Sequence, residues 1–160
     1  MRVLYPPKKY FKSKHFLNNT SIFLAGSIEM GVAEDWQSKV IEAFEGCYNI
    51  DILNPRRTDW DSSWEQKITN PQFHEQVSWE LDCLEKCDII LMHFSPGTQS
   101  PISLLELGLF HTKKMVVCCP EGFWRKGNVD IVCERYSIPV LESLDDAIQG
   151  IKEELWLDTV

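Results

Sequence analysis

Short apolar runs alternate along this chain with longer segments of helical periodicity, and this alternation constrains the fold more than any other feature. The strand-like runs are Ser21–Ala25, Tyr48–Leu53, Asp88–Phe94, Met115–Cys119 and Ile138–Leu141. Apolar residues at helical spacing predict helices over Ala33–Glu45, Phe73–Cys87, Ile102–Thr112, Val129–Arg135 and Leu144–Trp156. Strands separated by helices are typical of a parallel sheet covered on both faces.

We therefore predict an α/β fold with one doubly wound, Rossmann- or flavodoxin-like sheet of five parallel strands flanked by helices. The chain has 160 residues, a length typical of one domain, and we find no internal repeat or linker in it. We expect a single domain over residues 1–160, in which residues 1–20 form a segment that precedes the first strand.

Charge and composition exclude several classes of function. The 24 acidic residues outnumber the 16 Lys and Arg residues, which gives a net charge of −8 and argues against a nucleic-acid-binding surface. No apolar run approaches the roughly 18 residues of a membrane span. We expect a cytoplasmic protein without membrane contact. Its six cysteines show no second Cys or His pair at zinc spacing, so no metal site is predicted.

In doubly wound sheets, ligands bind where the carboxyl ends of the strands meet and the strand order reverses. This rule places three loops on one rim of the predicted sheet: Gly26–Ser27, the stretch that begins at Asn54, and Ser95–Pro101. The last of these carries several hydroxyl groups and precedes a helix. Hydroxyls and free backbone N–H groups at a helix N-terminus are suited to a phosphate or sugar oxygen, although most such loops are turns and caps.

Glu106 is the one carboxylate between Ser95 and Thr112, and leucines and Phe110 surround it. Their spacing covers nearly the whole circumference of the predicted helix, so we expect this helix to be buried. A buried carboxylate without a partner costs several kcal/mol, and no Lys or Arg lies three or four residues away. The ordinary explanations are a helix edge that reaches solvent or an Arg from elsewhere. The alternative, which we favour, is a carboxylate kept for chemistry.

Two further residues strengthen this interpretation. Gly108 lies inside the same predicted helix, where glycine costs about 1 kcal/mol relative to alanine. Either a ligand or tight helix packing would explain it. Glu80 borders the apolar stripe of the preceding helix, and two separated carboxylates suit glycosyl chemistry, in which one attacks and the other protonates or orients the leaving group.

Together these motifs resemble the nucleoside 2-deoxyribosyltransferase superfamily, in particular its small branch, from about Ser21 to Arg135. The residues that carry the resemblance are Phe23-Leu-Ala-Gly-Ser27, Trp36, Asn54-Pro-Arg-Arg57, Asp59-Trp60, Trp79-Glu80, Asp88-Ile-Ile-Leu91 and Leu105-Glu-Leu-Gly108. Each motif is short, but their order and spacing are fairly specific.

The resemblance implies that Glu106 attacks the anomeric carbon and forms a covalent glycosyl-enzyme, and that Glu80 is the second catalytic acid. Transferase members commonly carry Asp six positions before the nucleophile, whereas this chain has Ser100. Relatives that hydrolyse nucleoside 5′-monophosphates carry serine there, close to the phosphate. Ser100 therefore shifts the expectation towards a nucleotide without excluding transfer between nucleosides.

Further contacts with a small nucleoside or nucleotide are expected from the same resemblance. Gly26 and Ser27 match the segment that contacts substrate, Arg56 is a candidate phosphate ligand, and Trp60 is a candidate for stacking on the base. No cofactor is implied. The resemblance also implies a homodimer or a larger homo-oligomer.

Three other functions fit part of the pattern. A glycohydrolase acting on NAD or another nucleotide derivative would use the same chemistry with a larger leaving group. A binding module that kept the fold without the activity is compatible with Ser100 in place of Asp. A flavodoxin-like or dehydrogenase domain is disfavoured because no GxGxxG follows the first strand.

Overall fold

Six parallel strands form one sheet in the computed structural model, which describes residues 1–10, 18–28, 33–57, 59, 61 and 63–157 (the last two without side chains). The strands are β1 (Arg2–Leu4), β2 (Thr20–Gly26), β3 (Ile50–Leu53), β4 (Ile89–His93), β5 (Met115–Cys118) and β6 (Val140–Leu141). Their order across the sheet is β1-β3-β2-β4-β5-β6. The predicted doubly wound α/β class is confirmed.

Five helices connect and cover the strands: α1 (Trp36–Ala43), α2 (Pro71–Lys86), α3 (Pro101–Leu109), α4 (Lys126–Tyr136) and α5 (Leu144–Leu157). Helix α2 starts where the sequence provides two start signals, because the Asn70 side chain accepts from the Phe73 N–H at 3.0 Å and Pro71 follows it. Among the described residues, no helix is both long and apolar enough to cross a membrane.

The sheet separates two apolar layers. Helices α1 and α5 pack on one face through residues such as Trp36, Phe44 and Ile148. Helices α2, α3 and α4 pack on the other face, where Trp79, Leu107 and further apolar side chains lie. Because both faces of β4 are covered, all five of its residues are buried.

The predicted number of five strands is wrong by one, since β1 lies inside the segment that was expected only to precede the sheet. This strand pairs in parallel with β3, with Arg2 opposite Asp51. The guanidinium group of Arg2 binds both oxygens of the Asp51 carboxylate, with Nε to Oδ1 at 2.8 Å. An ion pair of this kind leaves no trace in apolar periodicity, and three residues are too few to show alternation.

The prediction that α3 is buried all round is also wrong. Its buried residues are Ser103, Glu106 and Leu107. The opposite side is apolar but open, with Ile102, Leu105 and Leu109 each more than half exposed. Apolar periodicity identifies which residues share a face of a helix, but it does not state which of two apolar faces meets the sheet.

Candidate active site

The strand order reverses between β2 and β4, and the carboxyl ends of these two neighbours meet at one rim. Gly26 pairs with His93 at the last position of the ladder. The next residue of each strand continues the contact, since the Ser27 N–H donates to the carbonyl of His93 at 2.9 Å. The expected meeting of the Gly26–Ser27 turn and the Ser95–Pro101 loop is therefore present at the switch point of the sheet.

Gly26 is required by the packing of the two strands. It has a φ of +136°, and a Cβ added there would lie 2.1 Å from the carbonyl oxygen of His93. No side chain fits that gap, so glycine allows β2 to end directly against β4. The glycine thus places Ser27 at the rim, and a direct contact of Gly26 with substrate stays a prediction.

Three hydroxyl groups form a closed triangle at this rim, which we call the hydroxyl triangle. The Oγ of Ser27 lies 2.9 Å from Thr98 Oγ1 and 2.6 Å from Ser100 Oγ, and the latter two oxygens are 3.0 Å apart. All three residues are buried. Ser95 makes two further hydrogen bonds to the triangle. Its N–H donates to Ser27 Oγ at 2.9 Å, and its carbonyl accepts from Thr98 Oγ1 at 2.8 Å.

One of the three hydroxyl protons of the triangle is directed to a backbone carbonyl. A hydroxyl group carries one proton, and that of Thr98 is used on the Ser95 carbonyl. Ser27 and Ser100 are the two members of the triangle whose hydroxyls are not directed to that carbonyl. An acceptor-rich ligand would therefore draw on these two hydroxyls, while Thr98 Oγ1 acts as an acceptor that orients them.

Ser100 is held in a conformation that non-glycine residues rarely adopt. Its φ of 46° and ψ of 51° are left-handed, and Pro101 follows it as the first residue of α3. The left-handed conformation costs roughly 1–2 kcal/mol for a residue with a side chain. The surrounding hydrogen bonds maintain it, and the result is a buried hydroxyl at the N-terminus of α3, where backbone N–H groups lack helical partners.

Glu106 lies on the buried side of α3, six residues after Ser100, which is about 1.7 turns and about 9 Å along the helix axis at 1.5 Å per residue. It is 8% exposed. Within the part of the chain that the structure describes, no cation and no hydrogen-bond donor contacts its carboxyl group. The possible partner Arg considered from the sequence is therefore not found among these residues.

Glu80 supplies the second carboxylate, from the neighbouring helix α2. Its Oε1 accepts a hydrogen bond of 2.8 Å from the side-chain amide of Gln76. The same Nε2 donates to the carbonyl of Pro55 at 3.0 Å. Gln76 thus connects Glu80 to the loop that follows β3. This loop begins at Asn54 and is one of the three loops predicted at the rim.

Burial controls the protonation of both carboxyl groups. It raises the pKa of Glu80 to about 7, against an opposing hydrogen bond from Gln76. It raises the pKa of Glu106 to about 8, and the negative charge of Glu80 adds to that rise. At neutral pH the pair therefore holds roughly one proton, and its two ionisation steps belong to the pair.

Arg56 and Arg57, adjacent in sequence, have different surroundings. Arg57 binds Asp59 through two hydrogen bonds of 2.8–2.9 Å, faces Glu75 and lies over the ring of Trp64. Arg56 makes weaker contacts, 3.4 Å to Gln37 Oε1 and 3.8 Å to Asp35. Arg56 is thus the arginine with the greater capacity to bind an anionic ligand.

Two further predicted contacts concern Trp60 and Gly108. Trp60 lies outside the described residues. Gly108 is exposed, with open space where a Cβ would stand, so the tight packing considered for it is absent among the described neighbours. It lies about 200° around α3 from Glu106 at 100° per residue, on the side away from the carboxylate. A ligand contact at either residue stays a prediction.

His93 and Gln76 belong to this region, although neither was predicted from the sequence. Burial lowers the pKa of His93 to about 4, Lys39 adds to the shift, and the ring is neutral at pH 7. It packs 5.1 Å from the ring of Trp36, and its Nδ1 has no hydrogen-bond partner among the described residues. The spacing of Gln76, four residues before Glu80, was a usable signal, because residues i and i+4 are neighbours on a helix.

Comparison with known proteins agrees with this description of the fold. A family model described as "Nucleoside 2-deoxyribosyltransferase like" matches residues 19–123, more than half of the chain. A solved structure described as a conserved protein from Enterococcus faecalis V583 superposes with a TM-score of 0.61 at 14% identity, covering 85% of this chain and 99% of that one. At this identity it supports the fold alone. No curated protein matches the chain.

Proposed function

The chain belongs to the nucleoside 2-deoxyribosyltransferase-like family, and from that premise we propose that it cleaves the N-glycosidic bond of a nucleoside 5′-monophosphate with Glu106 as nucleophile. The observation that carries this proposal is the state of Glu106. A carboxyl group that is 8% exposed and has no partner among the described residues destabilises the fold, which makes a purely structural role a poor explanation.

The first step forms a glycosyl ester on Glu106. One carboxylate oxygen attacks C1′ while the bond from C1′ to the base nitrogen breaks, and the bonding electrons leave with the base. Glu80 donates its proton to that base, which departs neutral. The reactive form has the proton on Glu80 and an ionised Glu106. This is the reverse of the free protein, in which the pKa of Glu106 is the higher of the two, and positive charge developing on the sugar favours the ionised Glu106.

The second step releases the sugar. Glu80, now ionised, takes a proton from water as the water oxygen attacks C1′, and the ester bond breaks to return the Glu106 carboxylate. A second free base in place of water would give exchange rather than hydrolysis. Both outcomes use the same two carboxyl groups, and each step conserves the proton.

The hydroxyl triangle is a candidate binding site for a 5′-phosphate on the sugar. Ser27 and Ser100 supply two buried hydroxyl groups next to the N-terminus of α3, where backbone N–H groups lack helical partners. The distance of about 9 Å along α3 from Ser100 to Glu106 suits a sugar whose 5′-phosphate lies at the triangle and whose C1′ faces the carboxylate. Arg56, from the loop after β3, is the candidate cation for the same phosphate.

The test is a panel of ribo- and deoxyribonucleosides with their 5′-monophosphates, with and without a second free base, followed by chromatography and mass spectrometry. We expect base release from monophosphates that Glu106→Gln abolishes and that Glu85→Gln, an exposed carboxylate on α2, leaves unchanged. A 2-fluoro sugar substrate should trap an adduct on the peptide that contains Glu106.

The other outcomes assign other functions. Dependence on the added base would indicate a transferase. Activity that survives in Glu106→Gln would refute the nucleophile. Tight binding of monophosphates by folded wild-type protein without turnover would indicate the binding module, and nicotinamide release from NAD would indicate a glycohydrolase with a larger leaving group.

A further inference from the structure

We propose that Gln76 is a positioning residue that fixes which oxygen of Glu80 carries the exchangeable proton. The proposal rests on the proposed function for the use of that proton, and on the geometry of α2 and the β3–α2 loop for its location. Gln76 lies on α2 one turn before Glu80 and is 4% exposed.

The orientation of the Gln76 amide is determined by a backbone carbonyl. The carbonyl of Pro55 can only accept, so the side-chain atom that lies 3.0 Å from it is the NH₂ group. The second proton of this NH₂ then points to Glu80 Oε1 at 2.8 Å. Reversing the amide would place two acceptors against each other at Pro55, and the arrangement is therefore fixed.

A fixed donor restricts Glu80 to one protonated form. Oε1 faces an N–H at all times and acts as an acceptor, so the carboxylic proton resides on Oε2. Among the described residues Oε2 has no hydrogen-bond partner. The oxygen that carries the proton is thus the one available to the leaving base and to the water of the second step.

The charged groups around Glu80 leave Gln76 as the main stabiliser of its ionised form. Glu106 from α3 is near enough for mutual repulsion, and the thiol of Cys83 is its neighbour on α2. Of the cations of the adjoining loop, Arg57 binds Asp59 and Glu75 and Arg56 makes long contacts with Asp35, and neither contacts Glu80 in the part of the chain that the structure describes. The Gln76 bond opposes burial and lowers the pKa of Glu80, which suits a group that gives and takes a proton near pH 7.

Packing alone does not account for this glutamine. Its Oε1 is buried without a hydrogen-bond partner among the described residues, an arrangement that stability disfavours. The NH₂ end, with two well-formed bonds to Pro55 and Glu80, is the part that explains why an amide occupies the position.

A test on the wild-type protein needs no substrate. In ¹³C- and ¹⁵N-labelled protein, the Gln76 side-chain proton that faces Glu80 should shift with pH at the same midpoint as the Glu80 carboxyl carbon. Its geminal partner, which faces Pro55, should stay nearly constant. Glu80→Gln should abolish the titration. A Gln76 amide that does not respond to Glu80 would overturn the proposal whatever the enzyme's activity.

Kinetics then test the role in turnover. Gln76→Met removes the donor at similar volume, and we expect the pKa of Glu80 to rise by about one unit and kcat to fall about tenfold with little change in KM. In a Glu80→Gln background the same substitution should add no further loss, because Gln76 acts through Glu80. Gln72→Met, the same change at an exposed position of α2, serves as the control.

Two results separate failure of this inference from failure of the proposed function. Losses that multiply in the double variant, or a pH profile that Gln76→Met does not move, would refute the positioning role while turnover persists. A wild-type protein that turns over no member of the panel would refute the proposed function, and the NMR titration would still decide whether Gln76 orients Glu80.

Discussion

At the scale of single residues, the candidate site combines features that lower stability. Glu106 is a buried carboxyl group without a partner among the described residues, and Ser100 adopts a left-handed conformation before a proline. Each costs free energy that a fold without a site would avoid. Such residues are expected where a protein trades stability for chemistry.

The stability cost of Glu106 should depend on pH. Its folded pKa of about 8 lies above the ordinary value of 4.5, so the protonated form is favoured by the fold. That contribution is complete below pH 4.5 and is lost as pH rises through about 8. At 1.36 kcal/mol per pKa unit the difference is on the order of 5 kcal/mol.

Glu106→Gln, which cannot ionise, should therefore be more stable than wild type at pH 9 and about equally stable at pH 4.5. Urea unfolding at the two pH values measures this difference. Glu85→Gln is the control, and equal effects of the two variants at pH 9 would contradict the assigned burial of Glu106.

The hydroxyl triangle predicts different effects for its members. Ser100→Ala removes one of the two hydroxyl groups proposed to contact a phosphate, and a hydrogen bond to a charged group contributes about 1.5–3 kcal/mol. We expect KM for monophosphates to rise roughly 10- to 100-fold, with nucleosides unaffected. Steady-state kinetics on matched nucleoside and monophosphate pairs measures this discrimination, and an equal loss on both substrates would refute the phosphate contact.

Thr98→Val tests the assignment of the Thr98 proton to the Ser95 carbonyl. The Thr98 proton is used on the Ser95 carbonyl, so its loss should reduce unfolding free energy by about 1 kcal/mol. We expect it to change monophosphate discrimination less than Ser100→Ala does. Urea unfolding and the same substrate pairs check both parts, and a larger effect of Thr98→Val on discrimination would show that Thr98 itself donates to the ligand.

At the scale of elements, what the sequence predicts depends on the kind of signal. The strands β2 and β4 were predicted because uninterrupted apolar runs are typical of strands buried on both faces. Glu106 was predicted as a candidate catalytic residue because it is a single carboxylate in an apolar helix. That signal does not depend on which face of the helix packs on the sheet. The roles of Gly26 and Gln76 depend on distances to His93 and Pro55, which only the folded chain brings close.

Helix α3 shows the limit of periodicity and offers a direct test. Leu107 packs into the core layer of α2, α3 and α4, whereas Leu105 is 57% exposed. Leu107→Ala should cost about 2–5 kcal/mol of unfolding free energy, as buried leucines do, and Leu105→Ala less than about 1 kcal/mol. Urea unfolding of the two variants under identical conditions compares them. Equal costs would mean that α3 is covered on both sides, as the sequence first suggested.

At the scale of the whole molecule, the sheet brings distant segments to one rim. It also depends on the edge strand β1, which the sequence did not reveal. Parallel pairing of β2, β3 and β4 aligns their carboxyl ends, so loops from residues 26, 54 and 95 onward converge there. Strand β1 extends the sheet beyond β3 on the side of the Asn54–Arg57 loop, which Gln76 contacts. The stability of that edge therefore bears on the site.

Arg2 should contribute to stability through Asp51, whose side chain is 0% exposed. Asn19 donates to Asp51 Oδ1 at 2.8 Å, but Arg2 supplies the compensating charge. Removing one partner of a buried pair leaves an uncompensated charge and costs about 3–5 kcal/mol. We expect Arg2→Ala to lose about 3 kcal/mol in urea unfolding, the lower end, because Asn19 remains.

Two variants make this expectation specific to the buried charge. Lys39→Ala breaks an exposed pair with Asp145 and should change the unfolding free energy by less than about 1 kcal/mol. Asp51→Asn combined with Arg2→Ala removes the charge and keeps an acceptor for Asn19, and it should recover more than half of the loss. If Arg2→Ala costs no more than Lys39→Ala, β1 is a dispensable edge. If the double variant recovers nothing, the pairing of β1 with β3, rather than the charge of Asp51, is what Arg2 supports.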